Sequence, residues 1–195
     1  ITKDDLRQNY PDGIISKKYN KNNGFLVSTS GSTGKPVFVY IDMFSAIKSL
    51  TAFVRTLKAY GGRWNKTRIV MIVDTTPGSV EHAIFTKSAI PVLQKLMTTK
   101  NIKYIDIAEK PEIAMKEMEE FNPEFVGTDP NMLRKLAILK NEGIGKNVNP
   151  EYLGSAGAML DKYTRNYVEK AFGAQILDSY ASTEAGPIAF ECIKG

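Results

Sequence analysis

The chain has 195 residues, 43% hydrophobic and 24% charged, with a net charge of +5. That is about one domain of sequence with enough apolar material for a core, and its scattered lysines, not clustered with aromatics, argue against nucleic-acid binding. A single cysteine, Cys192, excludes an internal disulfide and fits a reducing cytosol. The longest aliphatic run, residues 69–73, is far short of a membrane span, and no signal peptide is visible, so no membrane contact and a cytoplasmic location are expected.

In chain order, Thr2, Lys3, Asp4 and Asp5 form a helix capping box, and Asn9 to Gly13 is a turn around Pro11. Residues 20–24 are a polar loop. Apolar runs at 25–27 and 37–41 predict the two strands of a hairpin. Met43, Ala46, Leu50, Phe53, Leu57 and Tyr60 step by three and four, which predicts a helix ended by Gly61 and Gly62. Residues 68–74 read as a strand buried on both faces. A loop at 75–78 follows, and then a helix from about Val80 that Pro91 must kink or divide.

The remainder alternates. Strands are predicted at 103–107, 124–128, 152–156 and 175–179, and helices at 111–121, 130–142 and 161–172. The expected fold is therefore a layered α/β domain with a largely parallel sheet flanked by helices, plus a β-hairpin. Ligands in such sheets sit outside the carboxyl ends of the strands, which directs attention to the loops at 74–79, 128–129, 156–158 and 180–184.

The densest chemistry lies in the hairpin connection, Ser28-Thr29-Ser30-Gly31-Ser32-Thr33-Gly34-Lys35-Pro36. Hydroxyls, glycine-exposed N–H groups and a lysine make an anion-binding concavity suited to a phosphate chain. It is not a Walker loop: Thr29 stands where that motif has its first glycine, and Pro36 where it has Ser or Thr. The alternative is a solvated Ser/Gly turn, which this density of donors disfavours.

Tyr180-Ala181-Ser182-Thr183-Glu184 follows the last predicted strand. A tyrosine there can stack on a base, a threonine can bond a phosphate, and a glutamate can hold Mg²⁺ beside phosphates. By itself this run reads more simply as a polar loop with a structural tyrosine.

Together the two runs resemble the adenylate-forming enzymes: the acyl-CoA synthetases, the adenylation domains of peptide synthetases, and the luciferases. The glycine-rich run matches their phosphate-loop signature, and Tyr180 to Glu184 matches their Tyr-Gly-x-Thr-Glu motif. Gly154-Ser155-Ala156-Gly157-Ala158 stands where they have an adenine-contacting strand end, and the opening, from Ile1 to Pro11, resembles the phenylacetate-CoA ligase branch. The resemblance implies that Thr29, Ser30, Gly31, Ser32, Thr33, Gly34 and Lys35 hold the ATP β,γ-phosphates. It implies that Tyr180 stacks on adenine beside Gly157 and Ala158, Thr183 bonds the α-phosphate, and Glu184 holds Mg²⁺. The implied reaction joins a small carboxylic acid to CoA through an acyl-adenylate. A homodimer is compatible with it.

The chain departs from the branch at Met159-Leu160, where an acidic residue and proline are usual, and at Ala181 in place of glycine. It begins at Ile1 and ends at Gly195, and reads as the middle of a large N-terminal domain. The family's ribose-binding Asp, hinge Arg, lid and lid Lys would lie further on, so the 195 residues alone are expected not to turn over. Two rivals are an adenylating enzyme with a non-CoA acceptor, such as a deazaflavin coenzyme, and a non-catalytic nucleotide-binding module. Among residues outside the motifs, His82 reads as a plain or satisfied histidine, Cys192 as a buried free thiol rather than a zinc ligand, and Trp64 as a loop anchor.

Overall fold

The structure is a computed structural model and describes residues 2–19, 24–29, 36–83 and 100–192. Helix α1 (Lys3–Gln8) opens with the expected capping box: Thr2 Oγ1 accepts the Asp5 N–H, and the Asp5 carboxylate accepts the Thr2 N–H. The Thr2 N–H and the Thr2 hydroxyl, both donated to the Asp5 carboxylate, hold it below its ordinary range. Strands β1 (Gly24–Ser28) and β2 (Phe38–Asp42) pair antiparallel, Ser28 opposite Phe38, as the hairpin the sequence predicts. Asp42 ends β2 and caps α2 (Met43–Ala59) by accepting the Ser45 N–H at 2.7 Å.

The main sheet holds six strands in the order β4-β3-β5-β6-β7-β8. They are β3 (Ile69–Val73), β4 (Ile102–Asp106), β5 (Phe125–Thr128), β6 (Tyr152–Ser155), β7 (Gln175–Ser182) and β8 (Gly186–Phe190). β3 to β7 run parallel, and β8 alone is antiparallel. Helices α3 (Pro111–Phe121), α4 (Pro130–Asn141) and α5 (Lys162–Phe172) connect β4 to β5, β5 to β6, and β6 to β7. Pro111 and Pro130 start their helices at the position where a missing N–H costs nothing. Asp129 and Asp161 cap α4 and α5, accepting the Met132 and Thr164 N–H groups.

Alternation along each strand splits the core. Val70, Ile72, Val126, Leu153 and Ile176 face α3, α4 and α5, where they meet Met115, Met118, Leu133, Leu136 and Val168. Ile69, Phe125 and Tyr152 face the other way, toward Leu57 of α2. Two expectations change. β7 continues to Ser182, so Tyr180 stands inside a strand rather than in the loop after one. β8 was not predicted at all; it contains Pro187 and is exposed over most of its length, so neither composition nor alternation marks it. The helix expected from Val80 begins there, but its course over 84–99, Pro91 included, lies outside the described residues, as do phosphate-loop residues 30–35 and most of the 20–24 loop.

Candidate functional site

Because β3, β5, β6 and β7 are parallel and adjacent, their carboxyl ends form one edge. The hairpin is tied to that edge: the Ser28 N–H donates to the Gly78 carbonyl in the loop after β3 at 3.1 Å. Thr29, next along, is half-buried and bonds Val37 across the base of the glycine-rich connection. Ser30, Gly31, Ser32, Thr33, Gly34 and Lys35 lie outside the described residues.

At the same edge the register sets three polar residues abreast. Thr128 of β5 stands beside Ser155 of β6, and Ser155 beside Asp178 of β7. Thr128 is 6% exposed and Ser155 1%. Thr128 Oγ1, Ser155 Oγ and Asp178 Oδ1 are all buried without a hydrogen-bond partner. Buried polar atoms are nearly always satisfied, so three orphans in a row mark a place where a polar ligand or ordered water completes the structure. The strand ends themselves are well tied, Ala156 N–H to the Thr128 carbonyl at 3.1 Å and Ser179 Oγ to the Ser155 carbonyl at 2.9 Å. The sequence directed attention to Thr128, and to Ser155 within the Gly154–Ala158 run, but not to Asp178. The available signal for Asp178 was a carboxylate directly after the apolar pair Ile176 and Leu177.

Gly157 and Ala158 follow Ser155 and are exposed. Gly157 takes φ +86°, and a Cβ there would meet nothing within 4 Å, so open space adjoins the strand end. Met159, where the resemblance leads one to expect an acid, is 87% exposed. Tyr180 is 67% exposed, two residues beyond Asp178 on β7. Thr183 and Glu184 form the turn into β8, where Ser182 Oγ accepts the Ala185 N–H. Thr183 is half-buried. The Glu184 carboxylate is exposed and makes no ion pair among the described residues. No group of three His, Cys, Asp or Glu residues that could hold a metal by itself occurs among the described residues.

The loop after β3 is stitched by its own side chains. Asp74 accepts from Thr76, Ser79 Oγ donates to the Asp74 carbonyl, and Asp106 of β4 accepts from the Thr75 hydroxyl and N–H. The Thr75 hydroxyl and the Ala108 N–H hold the Asp106 carboxyl below its usual range. His82 Nδ1 lies 2.8 Å from the Thr75 carbonyl, so that nitrogen carries the proton and the histidine is satisfied, as the sequence suggests. Burial pushes the neighbouring Glu81 carboxyl up, with the Asp74 charge adding to it. Cys192 is exposed, not buried as expected, because β8 lies at the sheet margin. Trp64 does anchor its loop, packed on Leu57, Ile69 and Phe125.

Two concavities formed by described residues lie elsewhere. One of about 210 Å³ sits at the opposite, amino edge between Tyr60, Arg63, Glu124 and Tyr152, and an apolar groove runs along α2 beside Phe53 and Trp64. Ligand chemistry in parallel sheets belongs to the carboxyl edge, and the orphaned oxygens are there.

The fold recurs in solved structures. 2-Hydroxyisobutyryl-CoA ligase, in an open conformation with 2-HIB-AMP and CoA, superposes with a TM-score of 0.69 at 16% identity, covering 94% of this chain and 42% of that one. Brucella canis acyl-CoA synthetase gives 0.62 at 21% identity, covering 86% and 29%.

The chain has the fold of the adenylate-forming ligases.

The strands that carry the orphaned row and the motifs are part of that fold. A long-chain-fatty-acid-CoA ligase from Archaeoglobus fulgidus shares the adenylate-forming fold as well, with a TM-score of 0.61 at 15% identity over 87% of this chain and 33% of that one. Among curated sequences, protein CapK of Staphylococcus aureus is 27% identical over 204 residues, which span all of this chain and 42% of that protein. No family model matches the chain. Among the described residues no helix is long and apolar enough to cross a membrane.

Proposed function

We propose that the chain is the ATP-holding part of the large N-terminal domain of an AMP-forming carboxylate ligase. The observation that carries this reading is the row Thr128, Ser155 and Asp178, with orphaned buried oxygens beside the open space at Gly157 and the exposed ring of Tyr180. A planar base laid against Tyr180 would meet acceptors and hydroxyls at its polar edge. The phosphate chain would run to the hairpin loop from Thr29 to Lys35.

In this reading a substrate carboxylate oxygen attacks the α-phosphorus of ATP, the bond to the bridging oxygen breaks, and pyrophosphate leaves with that oxygen. Thr183 bonds the α-phosphate, and the loop donors with Lys35 hold the departing pyrophosphate. Mg²⁺ at Glu184 would offset phosphate charge. A thiol then displaces AMP from the acyl-adenylate, with CoA as the proposed acceptor. These residues act by positioning and by fixed charge, which is how phosphoryl-type chemistry is accelerated. The aryl-acid, phenylacetate-type assignment rests on the opening segment, Ile1 to Pro11. Spanning 42% of CapK, the chain is read as part of a longer, cytoplasmic enzyme and as unable to turn over alone.

The test is ATP–pyrophosphate exchange by the full-length protein across aryl acids, fatty acids and a deazaflavin coenzyme. Acid-dependent exchange with an aryl acid, followed by CoA thioester formation, is expected. No exchange with any acid overturns the ligase reading. Exchange with no thioester moves the acceptor away from CoA.

A further inference from the structure

β7 is longer than its outer neighbour. β8 covers it from Ser179 to Ser182, which leaves the outer edge below Ser179 without a strand partner. Unpaired edge groups must find other partners, and here side chains supply them. Glu169 of α5 accepts the Ile176 N–H at 2.9 Å, and Arg165 Nη1 of the same helix donates to the Ile176 carbonyl at 2.8 Å. Glu191, just past β8, accepts the Asp178 N–H on its Oε2 at 2.9 Å, and its own N–H donates to the Asp178 carbonyl at 2.9 Å.

Arg165 joins these pieces. Its Nη2 donates to Glu191 Oε2 at 2.8 Å, and its Nη1 lies 3.5 Å from Glu169 Oε1. One guanidinium thus ties α5, β7 and the end of β8 together. From the opposite face of the sheet, Tyr60 donates its hydroxyl to the Glu191 carbonyl at 2.5 Å. Burial lowers the basicity of Arg165, but the carboxylates of Glu191, Glu169 and Asp178 outweigh it and leave the group more basic than usual. The strand segment clamped in this way carries Asp178 and leads directly into Tyr180, Thr183 and Glu184.

We propose that Arg165 is a positioning residue for the nucleotide: its fork onto Ile176 and Glu191 fixes where the β7–β8 hairpin presents Tyr180 and Glu184, and holds Asp178 beside Ser155. The proposal rests on the adenylation reading. A partly exposed Arg–Glu pair contributes little to stability, whereas a small misplacement of a binding group costs on the order of tenfold or more in function. The planar fork serves two acceptors at once, and lysine reaches only one.

The experiment uses the full-length protein and its Arg165→Met, Arg165→Lys and Glu191→Gln variants. Glu124→Gln serves as the control, since it weakens an Arg68–Glu124 pair at the opposite edge of the sheet. MgATP affinity is measured by calorimetry, the KM for ATP and for acid by pyrophosphate exchange, and the melting temperature by calorimetric scan. For Arg165→Met the expected result is ATP affinity at least about tenfold weaker with acid KM nearly unchanged, and for Arg165→Lys a partial recovery. Glu124→Gln leaves both near wild type. Wild-type ATP affinity in folded Arg165→Met, or ATP and acid KM rising together, overturns the clamp. If Arg165→Met does not fold, the Lys and Gln variants carry the same comparison. Wild-type protein that binds no MgATP overturns the adenylation reading, and the clamp with it, a result separate from a normal wild type with an indifferent variant.

Discussion

Thr29 and Val37 hold each other across the base of the glycine-rich connection between β1 and β2. The Thr29 N–H donates to the Val37 carbonyl at 2.9 Å, and the Val37 N–H donates to Thr29 Oγ1 at 3.0 Å. The two ends of the loop are thereby pinned by two opposed bonds, one of them through a side chain. Thr29→Val keeps the shape but leaves the N–H of fully buried Val37 without its acceptor, a loss of about 1–3 kcal/mol. Urea unfolding should register that loss, ATP affinity should fall, and Thr29→Ser should restore both.

Tyr180 presents a mostly exposed ring at the carboxyl edge. Removing a base-stacking ring costs about 1–3 kcal/mol, which is about 5- to 150-fold in affinity. Tyr180→Ala should weaken ATP binding by that range, and Tyr180→Phe should be close to neutral. Stability should barely move in either, since the ring contributes little to the core. Equilibrium dialysis with labelled ATP separates the two outcomes.

Leu136 of α4 is fully buried against the parallel sheet. Leu136→Ala should cost about 2–5 kcal/mol, a large fraction of a typical domain's stability. The midpoint of chemical unfolding should drop without a change in its slope.

Acid should loosen the end of β8. Burial pushes the Glu191 carboxyl up, but the bonds from the Asp178 N–H and Arg165 prevail and hold it below the usual glutamate range. A folded pKa below the unfolded value means the unfolded chain binds more protons, so this contribution is present above the unfolded value of about 4.3 and is lost as pH falls through the lower folded one. Stability measured against pH should therefore fall less steeply over that acid range in Glu191→Gln than in the wild-type chain.

Much of the fold was legible because its signals are local and repeated. The helix over 43–60 has a clear period, the capping box at Thr2 and Asp5 forms as read, and the helix at 111–121 was read to the residue from Pro111. β8 was not legible, because an exposed strand at the sheet margin has no buried face to impose alternation. The placement of Tyr180 failed for the same reason: without β8, nothing in the sequence extends β7 past Ser179. At the site, the motifs announce donors and a carboxylate by type. The row Thr128, Ser155 and Asp178 exists only through register between strands far apart in sequence, which no local pattern contains. The exposure of Cys192 was missed because a lone thiol reads as a small hydrophobe until the margin of the sheet is known.

Trp64, the only tryptophan, sits in the loop leading into β3, its carbonyl held by Asn101 Nδ2 at 2.7 Å and its ring against Leu57, Ile69 and Phe125. That is the amino edge, the opposite side of the sheet from the orphaned oxygens and the Tyr180 ring. The chain is thus optically divided. Tryptophan emission should therefore report whether α2 is seated on the sheet, and on the adenylation reading proposed above MgATP should leave it unchanged while urea shifts it. A chromophore for the ligand has to be sought on the tyrosine side, or introduced there.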